Sequence, residues 1–187
     1  KIPLSIITGY LGTGKTTLLK KIVADTNKKI AILMNEFGEI AIDSKIIKGD
    51  NINIKELAGG CVCCSMTGEF QEAIKEIREK IKPDMIIIET TGVAEPDALA
   101  TDAQSLEGIK LDGIITIVDC DSIVKYPSIG HTGRVQIEIA DILILNKKDL
   151  VTKEQLKEIR KIVRKINQKA IILTSVKSDI NTSILFN

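Results

Sequence analysis

A three-layer α/β/α sandwich on a mostly parallel central sheet is the architecture expected of this chain, and two features lead to it. Short apolar runs recur at 4–7, 30–34, 85–88, 114–118, 142–145 and 170–173. They carry almost no polar alternation, as strands buried on both faces of a parallel sheet do. Amphipathic stretches lie between them: Phe70, Ile74, Ile77 and Ile81 keep a helical spacing, as do Leu156, Ile159, Val163 and Ile166. Helices at those places would cover the two faces of the sheet.

The first run leads into Gly9-Tyr10-Leu11-Gly12-Thr13-Gly14-Lys15-Thr16-Thr17, followed by the helix-like stretch 18–23. This is G-x-x-x-x-G-K-[ST] between a buried strand and a helix, the place its chemistry needs, so the expected class is a P-loop NTPase. Gly9, Gly12 and Gly14 allow close backbone approach to phosphate oxygens. Gly12, Thr13, Gly14 and Thr17 belong to the phosphate cradle, the Lys15 ammonium is placed to reach the β and γ oxygens, and the Thr16 hydroxyl to bind Mg2+.

Farther along, 46–54 alternates around Gly49-Asp50-Asn51 and predicts an antiparallel edge hairpin. The run 85–88 ends in Glu89-Thr90-Thr91-Gly92. A carboxylate closing a buried strand suits Mg2+, directly or through water, and the Gly92 N–H suits a γ-phosphate; an ordinary strand end is the plain alternative. The run 142–145 ends in Asn146-Lys147-Lys148-Asp149. The Asp149 carboxylate can accept from the ring N–H and exocyclic amine of guanine, a pair adenine lacks, with Asn146 and the Lys147 stem bracing the base. A solvated turn is the alternative. Thr152-Lys153-Glu154-Gln155 is a capping-box pattern, and Thr174-Ser175-Val176 is placed to add a backbone contact to the base.

Bulk properties narrow the function. With 187 residues the chain makes one domain with a substantial core, and no repeat or linker divides 1–187. Lys plus Arg number 26 against 25 for Asp plus Glu, and there is no Trp, so neither nucleic acid nor a membrane surface is an expected partner. No apolar run approaches the roughly 20 residues of a membrane span, and a cytoplasmic protein is expected.

Three of the four cysteines crowd into Cys61-Val62-Cys63-Cys64, just ahead of the helix expected from about Thr67. Neighbours this close do not easily meet disulfide geometry, and a positive helix end lowers thiolate pKa. Three readings stand: soft ligands for Zn2+ or another late transition metal, a redox pair, or small buried hydrophobes. Three thiolates would leave a tetrahedral position open, which suits releasable cargo. Glu39 is the best-placed acidic partner and Glu36 the next. His131, the single histidine, is expected in an exposed loop, Gly130-His131-Thr132-Gly133.

Taken in order, residues 9–17, Asn35-Glu36-Phe37-Gly38-Glu39, 60–64, 89–92 and 146–149 resemble the CobW-type metallochaperone GTPases, relatives of the hydrogenase and urease nickel-insertion GTPases. The resemblance covers essentially the whole chain, and the C-x-C-C element after N-E-F-G is its most specific part. It implies a P-loop fold that dimerises around nucleotide, GTP hydrolysis with Mg2+, and delivery of Zn2+, or else Co2+ or Ni2+, to a client metalloprotein or metal-cofactor pathway enzyme. Carried over by position, Lys15, Thr16, Glu89 and Gly92 fall in the phosphate and Mg2+ site, Asn146 and Asp149 in the guanine site, and Cys61, Cys63 and Cys64 in the metal motif. Residues 35–43 correspond to the connecting switch. Family members usually carry a second, C-terminal domain; residues 1–187 are expected to form the GTPase domain without it, as a minimal member or a part of a longer chain, and Val176 stands where Ala is common. Two other functions fit the same motifs: a GTP-dependent regulatory switch without metal transfer, and a structural zinc protein with a vestigial nucleotide site.

Overall fold

The structure, a computed structural model, describes residues 1–34, 52–56, 67–90, 92 and 96–186. Seven strands form one sheet: β1 (Ile2–Gly9), β2 (Ile30–Met34), β3 (Ile52–Glu56), β4 (Met85–Glu89), β5 (Ile109–Asp119), β6 (Ile142–Asn146) and β7 (Ile171–Thr174). Their order is β3-β2-β4-β1-β5-β6-β7, and every pairing is parallel. From β1 the chain fills one side of the sheet with β2, β3 and β4, then crosses to fill the other with β5, β6 and β7. The carboxyl ends of β4, β1 and β5 thus flank the point where the winding direction reverses, where open α/β sheets hold their ligands.

The apolar runs dictate this arrangement because all five residues of β2, β4 and β6 are buried. Successive residues point to opposite faces. On one face Leu4, Ile6, Ile86 and Ile88 pack with Phe70, Ile74 and Ile77 from the segment made of α2 (Thr67–Glu76) and its closing π-turn Ile77–Ile81. Leu99 and Ala103 of α3 (Pro96–Ser105) join them. On the other face Ile7, Ile32, Ile87 and Ile117 meet Leu18, Leu19 and Ile22 of α1 (Lys15–Asp25). Two short helices, α4 (Cys120–Lys125) and α5 (His131–Glu138), follow β5; then α6 (Lys153–Ile166) buries Ile159 and Val163 against Leu143 and Leu145. The capping box at Thr152 and Gln155 is present, with each side chain accepting from the other's backbone N–H.

Two expectations change. Ile52–Glu56, read as one arm of an antiparallel hairpin, is an edge strand parallel to β2; the other arm lies outside the described residues. Alternation says that one face is half-buried, not which neighbour supplies the ladder, and a crossover from β2 returns the chain in the parallel sense. His131, expected in a loop, is the first residue of α5, closed by the Arg134 N–H on the Gly130 carbonyl at 3.0 Å.

Asn167 ties the far end of this half together. Its Nδ2 donates to the carbonyls of Ile137, Glu138 and Ala140, and its Oδ1 accepts from the N–H groups of Lys169 and Ala170, all at 2.8–3.1 Å. The side chain is buried, so removing it strands carbonyls that water reaches poorly. Asn167→Ala is expected to lower unfolding free energy by about 2–4 kcal/mol, measured by urea denaturation.

Candidate functional site

The phosphate loop begins where β1 ends. Gly9 has φ +144, and a Cβ there would stand 2.5 Å from the Ile117 carbonyl oxygen on β5, so no other residue fits. The loop then turns through Gly12 and Gly14 into α1, which starts with Gly14 in a left-handed conformation and no side-chain cap. Its first-turn N–H groups are consequently offered to an anion. Thr13 is buried, and its hydroxyl donates to the Tyr10 carbonyl at 2.9 Å. The Thr13 side chain therefore braces the loop from within.

Lys15 is buried and its Nζ donates to the carbonyls of Gly9 at 2.7 Å and Tyr10 at 3.0 Å. Burial pulls its pKa below the ordinary lysine value, and the Glu89 carboxylate opposes that shift. Thr16 is half-buried and Thr17 exposed at the helix start. Glu89, buried at the end of β4, pairs in register with Ile7. The next residue locks the two strands: the Thr90 hydroxyl donates to the Thr8 hydroxyl at 2.9 Å, and its N–H to the Ile7 carbonyl at 3.0 Å. Gly92 then lies on the phosphate loop so closely that a Cβ would be 2.4 Å from the Leu11 nitrogen.

At the end of β6 stands Asn146, with both ends of its amide engaged. Nδ2 donates to the Thr13 carbonyl at 2.8 Å and the Ser178 hydroxyl at 3.2 Å; Oδ1 accepts from the Ser175 hydroxyl at 2.8 Å and the Ser178 N–H at 2.9 Å. Asn146 thus braces the phosphate loop and the loop after β7, a duty beside the one expected of it toward the base. Lys147, with φ +59, sends its ammonium to the Asp119 carboxylate at 2.5 Å, while Asp119 also caps α4 at the Ser122 N–H. Asp149 sits exposed in the short 3-10 turn Lys148–Leu150.

Three residues of this neighbourhood escaped the motifs: Asp119, Ser178 and Gln136. Ser178 is fully buried, with φ +57, and its hydroxyl also donates to the Gly14 carbonyl at 3.0 Å. A Cβ on Gly14 would come within 2.6 Å of Asn146 Nδ2 and 2.7 Å of Ser178 Oγ. The signal for Ser178 is the string Ser175-Val176-Lys177-Ser178 directly after the last strand, which extends beyond the Thr174-Ser175-Val176 segment placed at the base.

Among the sequence-predicted residues, Lys15, Thr16, Glu89 and Gly92 gather at the ends of β1 and β4, while Asn146, Lys147 and Asp149 gather at the end of β6, joined to the first group by the Asn146 to Thr13 bond. Glu36, Glu39, Cys61, Cys63 and Cys64 lie outside the described residues, as does the 35–43 switch. Among the described residues no cluster of three His, Cys, Asp or Glu side chains is able to hold a metal. No helix there is long and apolar enough to cross a membrane.

A glycine-gated phosphate loop at the centre of a parallel sheet, with a buried Lys and Glu beside it, defines a P-loop nucleotide-binding domain. The profile described as CobW/HypB/UreG, nucleotide-binding domain, matches residues 3–174, and the chain belongs to that family. It is 40% identical over 188 residues to the zinc-regulated GTPase metalloprotein activator 1 of Schizosaccharomyces pombe, covering 92% of this chain and 45% of that protein. It is 32% identical to the zinc chaperone YjiA of Escherichia coli, covering 100% of this chain and 61% of that one. The crystal structure of Zn(II)-bound YjiA GTPase from Escherichia coli superposes with a TM-score of 0.76 at 26% identity, over all of this chain and 61% of YjiA. The chain thus spans roughly half to three fifths of the length of these relatives.

Cys120, the described cysteine, belongs to none of these groups. It is fully buried at the start of α4, where burial and, second, the Asp119 carboxylate push its thiol up to about 11. The thiol accordingly stays protonated near neutrality. Alkylation of Cys120 by iodoacetamide in the native protein at pH 8, followed by peptide mass mapping, is expected to run on the order of 100-fold slower than for a free cysteine.

Proposed function

We propose that this chain binds and hydrolyses GTP with Mg2+, and that nucleotide state governs a transition metal held by Cys61, Cys63 and Cys64 for delivery to a client metalloprotein or metal-cofactor enzyme. The observation that carries the nucleotide half is the direct bond from the Asn146 amide to the Thr13 carbonyl, which sets a guanine-type N-K-x-D turn beside the phosphate loop. The α1 N-terminus and Lys15 would hold the phosphates, and Asp149, exposed at the turn, would read the guanine edge. Thr16, in the first turn of α1, and Glu89, at the end of β4, are hard oxygen donors, a set that suits Mg2+ and would hold it. An ion held by these residues would supply charge neutralisation at the terminal phosphates. Phosphoryl transfer depends chiefly on positioning and electrostatics, which the buried Lys15 and Glu89 supply at low local dielectric.

Zinc is the favoured metal because the relatives include a zinc-regulated activator and a zinc chaperone, and the YjiA structure is Zn(II)-bound. Thiolates also suit Co2+ and Ni2+, with availability deciding between them. In this reading Glu39 supplements the three cysteines, and residues 35–43 connect them to the γ-phosphate. A nucleotide-dependent pair of subunits is part of the same proposal.

Two measurements test it. Asp149→Asn should lower the preference for GTP over ATP at least about tenfold, while Lys15→Ala loses tight binding of either triphosphate; undiminished GTP selectivity in the Asp149 variant removes the base assignment. Zinc affinity measured with GDP and again with a non-hydrolysable GTP analogue should differ at least about fivefold, and the difference should vanish in Cys63→Ser. Equal affinities in the wild type leave a GTPase without metal coupling.

A further inference from the structure

We propose that Gln136 is a positioning residue for the triphosphate: it holds Gly92 against the phosphate loop and thereby sets the preference for GTP over GDP. The proposal rests on the nucleotide reading above. Gln136 lies on α5, outside every motif, yet it is 1% exposed, and a polar side chain that deeply buried must be bonded. Its Nε2 donates to the Gly92 carbonyl at 3.2 Å. A carbonyl only accepts, so the amide's orientation follows from its partner.

Both sides of that bond are anchored. On the helix side, the Thr116 hydroxyl on β5 donates to the Gln136 carbonyl at 2.6 Å, so α5 is tied to the central sheet at this very residue. On the loop side, Gly92 leans on Tyr10 and Leu11 of the phosphate loop, where a Cβ would meet the Leu11 nitrogen at 2.4 Å and the Tyr10 carbonyl carbon at 3.0 Å. Gly92 is therefore pressed between a buried amide and the loop that wraps the phosphates. Its own N–H is the group assigned to the γ-phosphate, and a GDP complex makes no demand on it. An interaction used only when the third phosphate is present discriminates between the two nucleotides, whereas one used by both does not.

The test is nucleotide affinity in Gln136→Met, which keeps size and removes the donor, and in Gln136→Asn, which draws the amide back by about one carbon–carbon bond should the first variant fold poorly. A non-hydrolysable GTP analogue is expected to bind about five- to tenfold more weakly in either variant, with GDP affinity within about twofold of wild type and kcat reduced. Asn167→Ala frees the Ile137 and Glu138 carbonyls at the carboxyl end of the same helix but leaves both the Gln136 amide and its Thr116 tether in place, and should lower thermal stability without moving the affinity ratio. An unchanged ratio in the Gln136 variants, or an equal shift in Asn167→Ala, overturns the proposal. Gly92→Ala separates the two layers of argument. If it alters the ratio while the Gln136 variants do not, only the role of Gln136 fails; if it too leaves the ratio as in wild type, the assignment of Gly92 to the γ-phosphate fails.

Discussion

The Asn146 side chain is the joint on which the site depends. Four hydrogen bonds converge on one buried amide, two donated and two accepted, and their partners come from two separate stretches of chain: Thr13 on the phosphate loop, and Ser175 and Ser178 after β7. In a low-dielectric interior such a network is strong when complete and costly when broken, because each orphaned partner has lost its water. The phosphate loop and the turn at the end of β6 are therefore not independently placed. A nucleotide bound as proposed would meet a preformed distance between them, with less ordering left to be done on binding.

Steric exclusion does the corresponding work elsewhere. Gly9 abuts the β5 carbonyl of Ile117, Gly14 abuts Asn146 and Ser178, and Gly92 abuts the backbone of Leu11. At each point a single methylene would occupy space taken by backbone or by a bonded amide. These contacts draw the carboxyl edges of β4, β1, β5 and β6 around one loop, and Lys15 is folded into the middle of them. Its charge is tolerated there because two carbonyls and the Glu89 carboxylate face it.

Much of the architecture was legible beforehand, for a simple reason. Strands buried on both faces must be apolar at every position, and six such runs stand out from a chain rich in Lys and Glu. The helices of strong periodicity were legible too, as was the capping box at Thr152. What stayed hidden were α3, α4 and α5, whose short stretches carry little periodic signal, and His131, expected in a loop, starts the last of them. The partner of β3 was hidden as well, since its pattern is satisfied by either neighbour direction. In the site, the motifs name residues without naming the bonds among them. Asn146 also ties the protein's own loops, and Thr13 spends its hydroxyl inside the phosphate loop.

By itself, the order of residues determined the parallel sheet, the phosphate loop and its helix, and the acidic, amide and thiol groups available for chemistry, because these follow from local pattern and from the reactivity of each side chain. Only the tertiary structure decided which of them meet. Gln136 and Gly92 are 44 positions apart and Asn146 and Thr13 are 133 apart, and no local rule couples residues so distant. Their contact exists because burying both faces of one twisted sheet brings its carboxyl edges together, where amides without water must find one another.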